Sequence, residues 1–331
     1  MTAEGTLPLP SIDGAACVHG LAPSASCDSC AQACPLAALE LMEDGLMLDT
    51  DGCDSCGLCA PACPRTAITI PRPLTVLRRS RSEASAWARC SQTEDIGLPA
   101  VPCRHTFGIR DLDDLAGDGV RKLNILVAAC SACPREGNDR PLERQAEAHR
   151  LVRQSRGEAA VNVTLHGSAI AFSAALRSEH ARADPVDEGR RRLFAPFLHS
   201  RANPGDDLPP QAVAYLRPEI DPARCTGCDA CARLCPDGAL SLEGPPREAY
   251  LGFPDRCSGC GLCMDICEAR AIRLVRLGSA KQWRLPLDPD RCRVCGVEYH
   301  RPNGASGDPT LCRICALRPN GRLLFQVLGK S

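Results

Sequence analysis

Large aromatic side chains are scarce in this sequence: two Trp, three Tyr and six Phe make up 3% of its 331 residues. At roughly 100–200 residues per domain the length suggests about two to four domains, and so few aromatics leave each of them a thin conventional core. An excess of charge is also missing. The 39 basic and 40 acidic residues leave a net charge of −1, which argues against nucleic-acid binding or an anionic membrane surface as a whole-protein role. No apolar run reaches the roughly 18 residues of a membrane-spanning helix, so no direct membrane span is expected. Residues 1–10 have no positive region, apolar stretch or twin-arginine pair, which leads us to expect a cytoplasmic, reducing setting. What the sequence has in abundance is cysteine, 24 residues in all. In a reducing compartment, clustered cysteines bind metal more often than they form disulfides.

The cysteines divide into four sets with none left over. The first contains Cys17, Cys27, Cys30 and Cys34, then Cys53, Cys56, Cys59 and Cys63; the second contains Cys90, Cys103, Cys130 and Cys133. The third contains Cys225, Cys228, Cys231 and Cys235, then Cys257, Cys260, Cys263 and Cys267; the fourth contains Cys292, Cys295, Cys312 and Cys315. Division into multiples of four is what four-thiolate metal sites require.

The third set carries the strongest signal. Cys225-Thr-Gly-Cys228-Asp-Ala-Cys231-Ala-Arg-Leu-Cys235-Pro236 has C-x2-C-x2-C-x3-C-P spacing, and Cys257-Ser-Gly-Cys260-Gly-Leu-Cys263-Met-Asp-Ile-Cys267 repeats the cysteine spacing 32 residues later. The tight spacing wraps three thiolates around a cubane, while the fourth points to a second cluster. Residues 239–242 and 248–253 read as a hairpin around Gly244-Pro245-Pro246. The segment resembles bacterial two-cluster [4Fe–4S] ferredoxins, apart from Glu268, which stands where that family usually has Pro. The resemblance implies one cluster on Cys225, Cys228, Cys231 and Cys267, and another on Cys257, Cys260, Cys263 and Cys235.

The first set is a second copy with one defect. Cys53-Asp-Ser-Cys56-Gly-Leu-Cys59-Ala-Pro-Ala-Cys63-Pro64 is complete, but its partner begins at Cys27, with Ser24 where another cysteine is due. By the same resemblance, one cluster takes Cys53, Cys56, Cys59 and Cys34. The other takes Cys27, Cys30, Cys63 and a displaced ligand, assigned to Cys17; a three-thiolate [3Fe–4S] centre and ligation by His19 are the alternatives. Residues 39–41 and 46–48, joined through Asp44-Gly45, read as a hairpin between the motifs.

Between these copies, residues 71–182 alternate strands (84–88, 98–102, 123–129, 160–165) with helices (112–115, 142–154, 168–176), the pattern of βαβ units and a small parallel sheet. Cys90, Cys103 and Cys130 follow candidate strands at the sheet edge where ligands bind, and Cys133 completes a C-x2-C pair. The alternative is that these are small buried core residues. His105 reads as an exposed neighbour of Cys103. Arg89-Cys90, Pro102-Cys103-Arg104, Val127-Ala128-Ala129-Cys130, Gly137-Asn138 and Arg150 resemble the delta-subunit family of methyl-viologen-reducing hydrogenases. That resemblance implies a [2Fe–2S] or [4Fe–4S] cluster on Cys90, Cys103, Cys130 and Cys133.

In the tail, Cys292-Arg-Val-Cys295, sixteen residues, then Cys312-Arg-Ile-Cys315 fits a zinc-ribbon spacing. A rubredoxin-like single iron is the alternative, and His300 reads as a bystander. Arg291, Arg293, Arg301 and Arg313 lack the stacking aromatics that nucleic-acid binding needs.

The fold class expected is therefore α+β and multi-domain: two ferredoxin-like dicluster domains (1–72 and 221–278) flank a small α/β parallel-sheet domain (73–182). A linker (183–220) and a zinc-ribbon-like tail (279–331) complete the chain. The cofactors expected are four [4Fe–4S] clusters, one [2Fe–2S] or [4Fe–4S] cluster and one zinc. Residues 1–70 carry nine acidic residues and one basic, Arg65, an acidic face suited to steering a basic redox partner. No phosphate loop, dinucleotide fingerprint or Cys–His–Asn nucleophile motif is present, so an electron-transfer component is expected rather than a stand-alone enzyme. It would relay single electrons between donor and acceptor proteins of a hydrogenase, formate dehydrogenase or heterodisulfide-reductase-like system. A non-enzymatic accessory or redox-sensing protein of such a system is the alternative.

Overall fold

The computed structural model describes residues 7–183 and 208–317, apart from 43–44, 81, 134, 136–140 and 246. Asp44, Gly137-Asn138, Pro246, most of the linker with its arginine run 190–192, and the end of the tail lie outside the described residues. The described residues form two compact units, one within 1–23 and 27–213, the other within 24–26 and 214–331.

The first unit opens with a small motif. Strand β1 (Ser11–Ile12) pairs antiparallel with β4 (Ile68–Thr69), closing a segment that holds helix α1 (Ser29–Gln32), the hairpin of β2 (Leu39–Met42) and β3 (Gly45–Leu48), and helix α2 (Cys59–Ala62). The hairpin register sets Leu39 opposite Leu48 and Met42 opposite Gly45; the two strands lie where the sequence reading put them, but Gly45 is a strand residue rather than part of the turn. Cys30 and Cys59 are buried here among Leu39, Ala60, Ile68 and Ile70. Thiols thus stand where a larger domain would place apolar bulk.

The α/β sheet follows: β5 (Thr75–Arg78), β6 (Ala84–Cys90), β7 (Ala100–Val101), β8 (Val120–Leu126) and β9 (Asn162–His166), with helices α3 (Ile109–Gly117), α4 (Pro141–Ser155) and α5 (Ala169–His180). The spatial order is β5-β6-β8-β9, with β7 paired to β6. Strands β6 to β9 pair in parallel, as the strand–helix alternation predicts. Strand β5 is an antiparallel addition, because residues 79–83 are too few for a crossover and permit only a hairpin. Strand β6 reads Ala-Ser-Ala-Trp-Ala-Arg-Cys and is buried along nearly its whole length, which suits a strand covered on both faces. Val101, Phe107, Leu112, Leu123, Ile125 and Leu142 fill the core. On the other side of the sheet, Phe172 meets the Trp87 and His166 rings edge-on at 5.2 and 5.1 Å. Ser168 caps α5, its Oγ accepting the Ala171 N–H at 3.3 Å.

The second unit repeats the opening plan. Strand β10 (Leu216–Ile220) pairs antiparallel with β13 (Ile272–Arg276) around helix α6 (Ala230–Arg233), the hairpin of β11 (Leu240–Glu243) and β12 (Ala249–Gly252), and helix α7 (Leu262–Asp265). The long strand β14 (Trp283–Arg291) then pairs through its first half with β12 and through its second half with β15 (Glu298–Pro302). Helix α8 (Arg313–Ala316) follows. Trp283 stands opposite Gly252, where a Cβ would lie 2.0 Å from the indole ring, and its Nε1 donates to the Pro218 carbonyl at 2.9 Å. Among the described residues no helix is long and apolar enough to cross a membrane.

Candidate metal centres

All 24 cysteines are free thiols. In each complete C-x2-C-x2-C loop, the residues just before and just after the middle cysteine are left-handed: Ser55 and Gly57 (φ 58° and 72°), Gly227 and Asp229 (71° and 63°), Gly259 and Gly261 (81° and 78°). This repeated bend turns successive thiols inward around one point. The loop at Cys27 and Cys30 is built differently. Asp28, the residue after the middle cysteine Cys27, has φ −124° and leads directly into α1. The missing cysteine at position 24 thus coincides with a changed backbone.

The fourth cysteine of each motif starts a second repeated turn. The residue three positions on is left-handed in every case: Ala37, Thr66, Gly238 and Arg270. Its N–H donates to the cysteine's carbonyl at 3.3, 3.3, 3.2 and 2.8 Å respectively. That turn delivers the next N–H to sulfur in three motifs: Ala38 to Cys34 Sγ and Ala67 to Cys63 Sγ at 3.3 Å, and Ala271 to Cys267 Sγ at 3.2 Å. Amide donors aimed at sulfur stabilise thiolate and tune the potential of a bound cluster.

In both units the thiols lie close to one another. Burial pushes Cys30 up to about 11, with the neighbouring Cys63, Cys27 and Cys17 adding to the shift. His19 instead points Nε2 at the Cys27 carbonyl, 2.7 Å away. Burial raises Cys59 to about 12, with Cys56, Cys30 and Cys34 nearby. Cys34, Cys53, Cys56 and Cys59 line one cavity together with Pro10, Leu36, Leu39 and Leu48. In the second unit, burial raises Cys231 beside Cys225, Cys228, Cys263 and Cys267, and raises Cys263 to about 12 beside Cys257, Cys260 and Cys235. Thiols crowded out of water ionise only if a cation at the site offsets the cost. A cradle of four sulfurs with amide donors and apolar walls suits an iron–sulfur cluster.

The α/β site also assembles. Cys90 ends β6, Cys103 lies two residues past β7, and Cys130 and Cys133 span a short helical turn beyond β8. Burial pushes Cys103 up to about 11, with Cys90, Cys133 and Cys130 contributing. His105 departs from the sequence reading: it is buried rather than exposed. Its Nδ1 accepts the Leu142 N–H at 3.4 Å, at the start of α4, because the chain turns inward after Cys103. The adjacent Arg104 is buried as well and pairs with Glu143 Oε1 at 2.7 Å.

In the tail, the sulfurs of Cys292, Cys295, Cys312 and Cys315 all lie within 4.8 Å of one another, and Cys295 and Cys312 are 3.7 Å apart. Four sulfurs about 2.3 Å from a single tetrahedral ion sit about 3.8 Å apart, so this set has the dimensions of a one-ion site. Backbone N–H groups of Cys312 and Cys295 lower the Cys292 thiol, whereas burial and the three neighbouring sulfurs push the Cys315 thiol up to about 12; sulfurs this close ionise together only around a cation.

Beside the sites stands a group of which the sequence reading singled out His300 alone. Asp229 is buried at 2% exposure and accepts from Tyr250 Oη at 2.9 Å and pairs with His300 Nε2 at 2.7 Å. Arg247 closes on its other oxygen. His300 therefore belongs to no metal set; it bonds β15 to the Cys225–Cys231 loop. The available signals were Tyr250, one of three tyrosines, and an acidic residue inside a cluster loop.

Family models match two segments. A 4Fe-4S dicluster domain covers residues 217–268, and a 4Fe-4S binding domain covers residues 46–69. Compared with curated proteins, the chain finds no match. The chain thus contains two 4Fe-4S ferredoxin-type domains, set in a mixed α/β architecture of several sheets, and these point to an iron–sulfur electron-transfer role.

Proposed function

We propose that the chain is an electron-transfer subunit or adaptor that passes single electrons between a donor protein and a larger redox enzyme, with hydrogenase, formate dehydrogenase and heterodisulfide-reductase-like systems as the class. The carrying observation is the bend around the middle cysteine, made three times with the same handedness. Cys225, Cys228, Cys231 and Cys267 hold one [4Fe–4S] cluster, and Cys257, Cys260, Cys263 and Cys235 hold a second. Cys53, Cys56, Cys59 and Cys34 hold a third. Cys17, Cys27, Cys30 and Cys63 hold a fourth, a choice supported by Cys17 standing beside Cys30 while His19 is engaged elsewhere. Cys90, Cys103, Cys130 and Cys133 hold a further [2Fe–2S] or [4Fe–4S] cluster, supported by the resemblance to the hydrogenase delta subunit. Cys292, Cys295, Cys312 and Cys315 hold zinc as a structural staple. Such clusters supply one-electron exchange with little rearrangement; the protein fixes their ligands, directs amide donors at sulfur and keeps water away.

Protein isolated without oxygen should contain about 18 Fe if the α/β centre has two irons, and about one Zn. A low-potential donor should bleach its visible absorbance, and an acceptor should restore it. Clusters that stay oxidised throughout would refute the relay.

A further inference from the structure

A single guanidinium joins two of these sites. Arg135 lies two residues past Cys133. Its Nε donates to Asp54 Oδ2 at 2.7 Å and its Nη2 to the Asp54 carbonyl at 3.2 Å, inside the Cys53-Asp54-Ser55-Cys56 loop. Its Nη1 donates to the carbonyl of Pro102, next to Cys103, at 3.1 Å, and reaches Ser91 Oγ, next to Cys90, at 3.5 Å. The side chain is only 12% exposed, so water screens it poorly. Its charge is felt by Cys56 on one side and Cys103 on the other. Gly57, just past the first loop, also packs against the second: a Cβ on Gly57 would lie 3.0 Å from Thr106 Cγ2. Residues 1–70 carry Arg65 as their one basic side chain. The cation at this junction is therefore lent by the α/β domain to an acidic cluster domain.

We propose that Arg135 is a positioning residue shared by the two centres: it clamps the Cys53–Cys56 loop against the Cys103 loop, and its charge raises the reduction potential of the clusters that both loops hold. The proposal rests on the reading that both four-cysteine sets carry iron–sulfur clusters. Reduction adds one negative charge to a cluster, so a fixed cation nearby favours the reduced form, and removing that cation lowers the potential. Asp54 opposes part of this effect as the counter-ion.

The test is an EPR-monitored redox titration of the anaerobically reconstituted full chain. The α/β centre is assigned by the signal lost in Cys130→Ser, and the N-terminal domain by the signals lost in Cys53→Ser, of which the one that Arg135→Gln moves most is followed. In Arg135→Gln both of those potentials should shift downward, while the signals of the dicluster domain at 217–268 stay in place. Arg135→Lys should keep both near their original values. Asp54→Asn should move both upward, and this opposite sign decides the matter if Arg135→Gln loses iron. Full iron content with unmoved potentials, or an equal displacement of every signal, would overturn the proposal and leave the cluster reading standing. An α/β site that takes up no iron would overturn that reading and the proposal together.

Discussion

At Asp229 a carboxylate sits almost fully out of water, one residue past Cys228, in a left-handed conformation. Asp tolerates that conformation better than most residues, but burying its charge is costly unless every lone pair is met. Tyr250, His300 and Arg247 meet them. Burial, then Cys225 and Asp229 nearby, pushes the Tyr250 phenol up, so it stays a donor. Tyr250→Phe removes one hydrogen bond to a buried charge and should cost about 1.5–3 kcal/mol. The measurement is the denaturant midpoint of visible absorbance, with the N-terminal clusters as an internal control. The candidate cysteine sets could be drawn up from the sequence, because spacing is local information. The partners of Asp229 were not legible: they lie 21 and 71 positions away, and only folding brings them together.

At the scale of elements, the recurring structure is the cluster loop. Gly227 and Ser55 occupy equivalent positions with similar φ, yet their surroundings differ. A Cβ on Gly227 would stand 2.1 Å from the His300 carbonyl oxygen, whereas Ser55 already carries one. Gly227→Ala should therefore destabilise the second unit by more than the about 1–2 kcal/mol of a left-handed Ala alone, and Ser55→Gly should leave the first unit close to unchanged. Thermal melts followed by cluster absorbance compare the two directly. The hairpins and the strand–helix alternation were readable from pattern, since turn residues and apolar periods act within a few positions. The inward path of His105 was not, because it depends on the distant start of α4, where Leu142 meets it.

For the whole molecule, the scarcity of large side chains becomes a statement about stability. Cys30, Cys59 and Cys231 sit within the small cores of their motifs, so clusters held there, as proposed, would contribute to folding as well as to redox chemistry. Cys228→Ala is expected to abolish both clusters of the 217–268 domain rather than one, with iron loss confined to the second unit. Iron analysis and EPR of the variant check this, and retention of the Cys257/Cys260/Cys263/Cys235 signal would contradict it. Strand β14 carries the point further. Its first half completes the sheet begun by β11 and β12, and its second half begins the sheet that β15 continues. A chain cut at the 278/279 boundary suggested by the cysteine pattern would therefore shed a neighbouring strand along with the last four cysteines, leaving the Ala249–Gly252 backbone with bare donors and acceptors, a template for self-association.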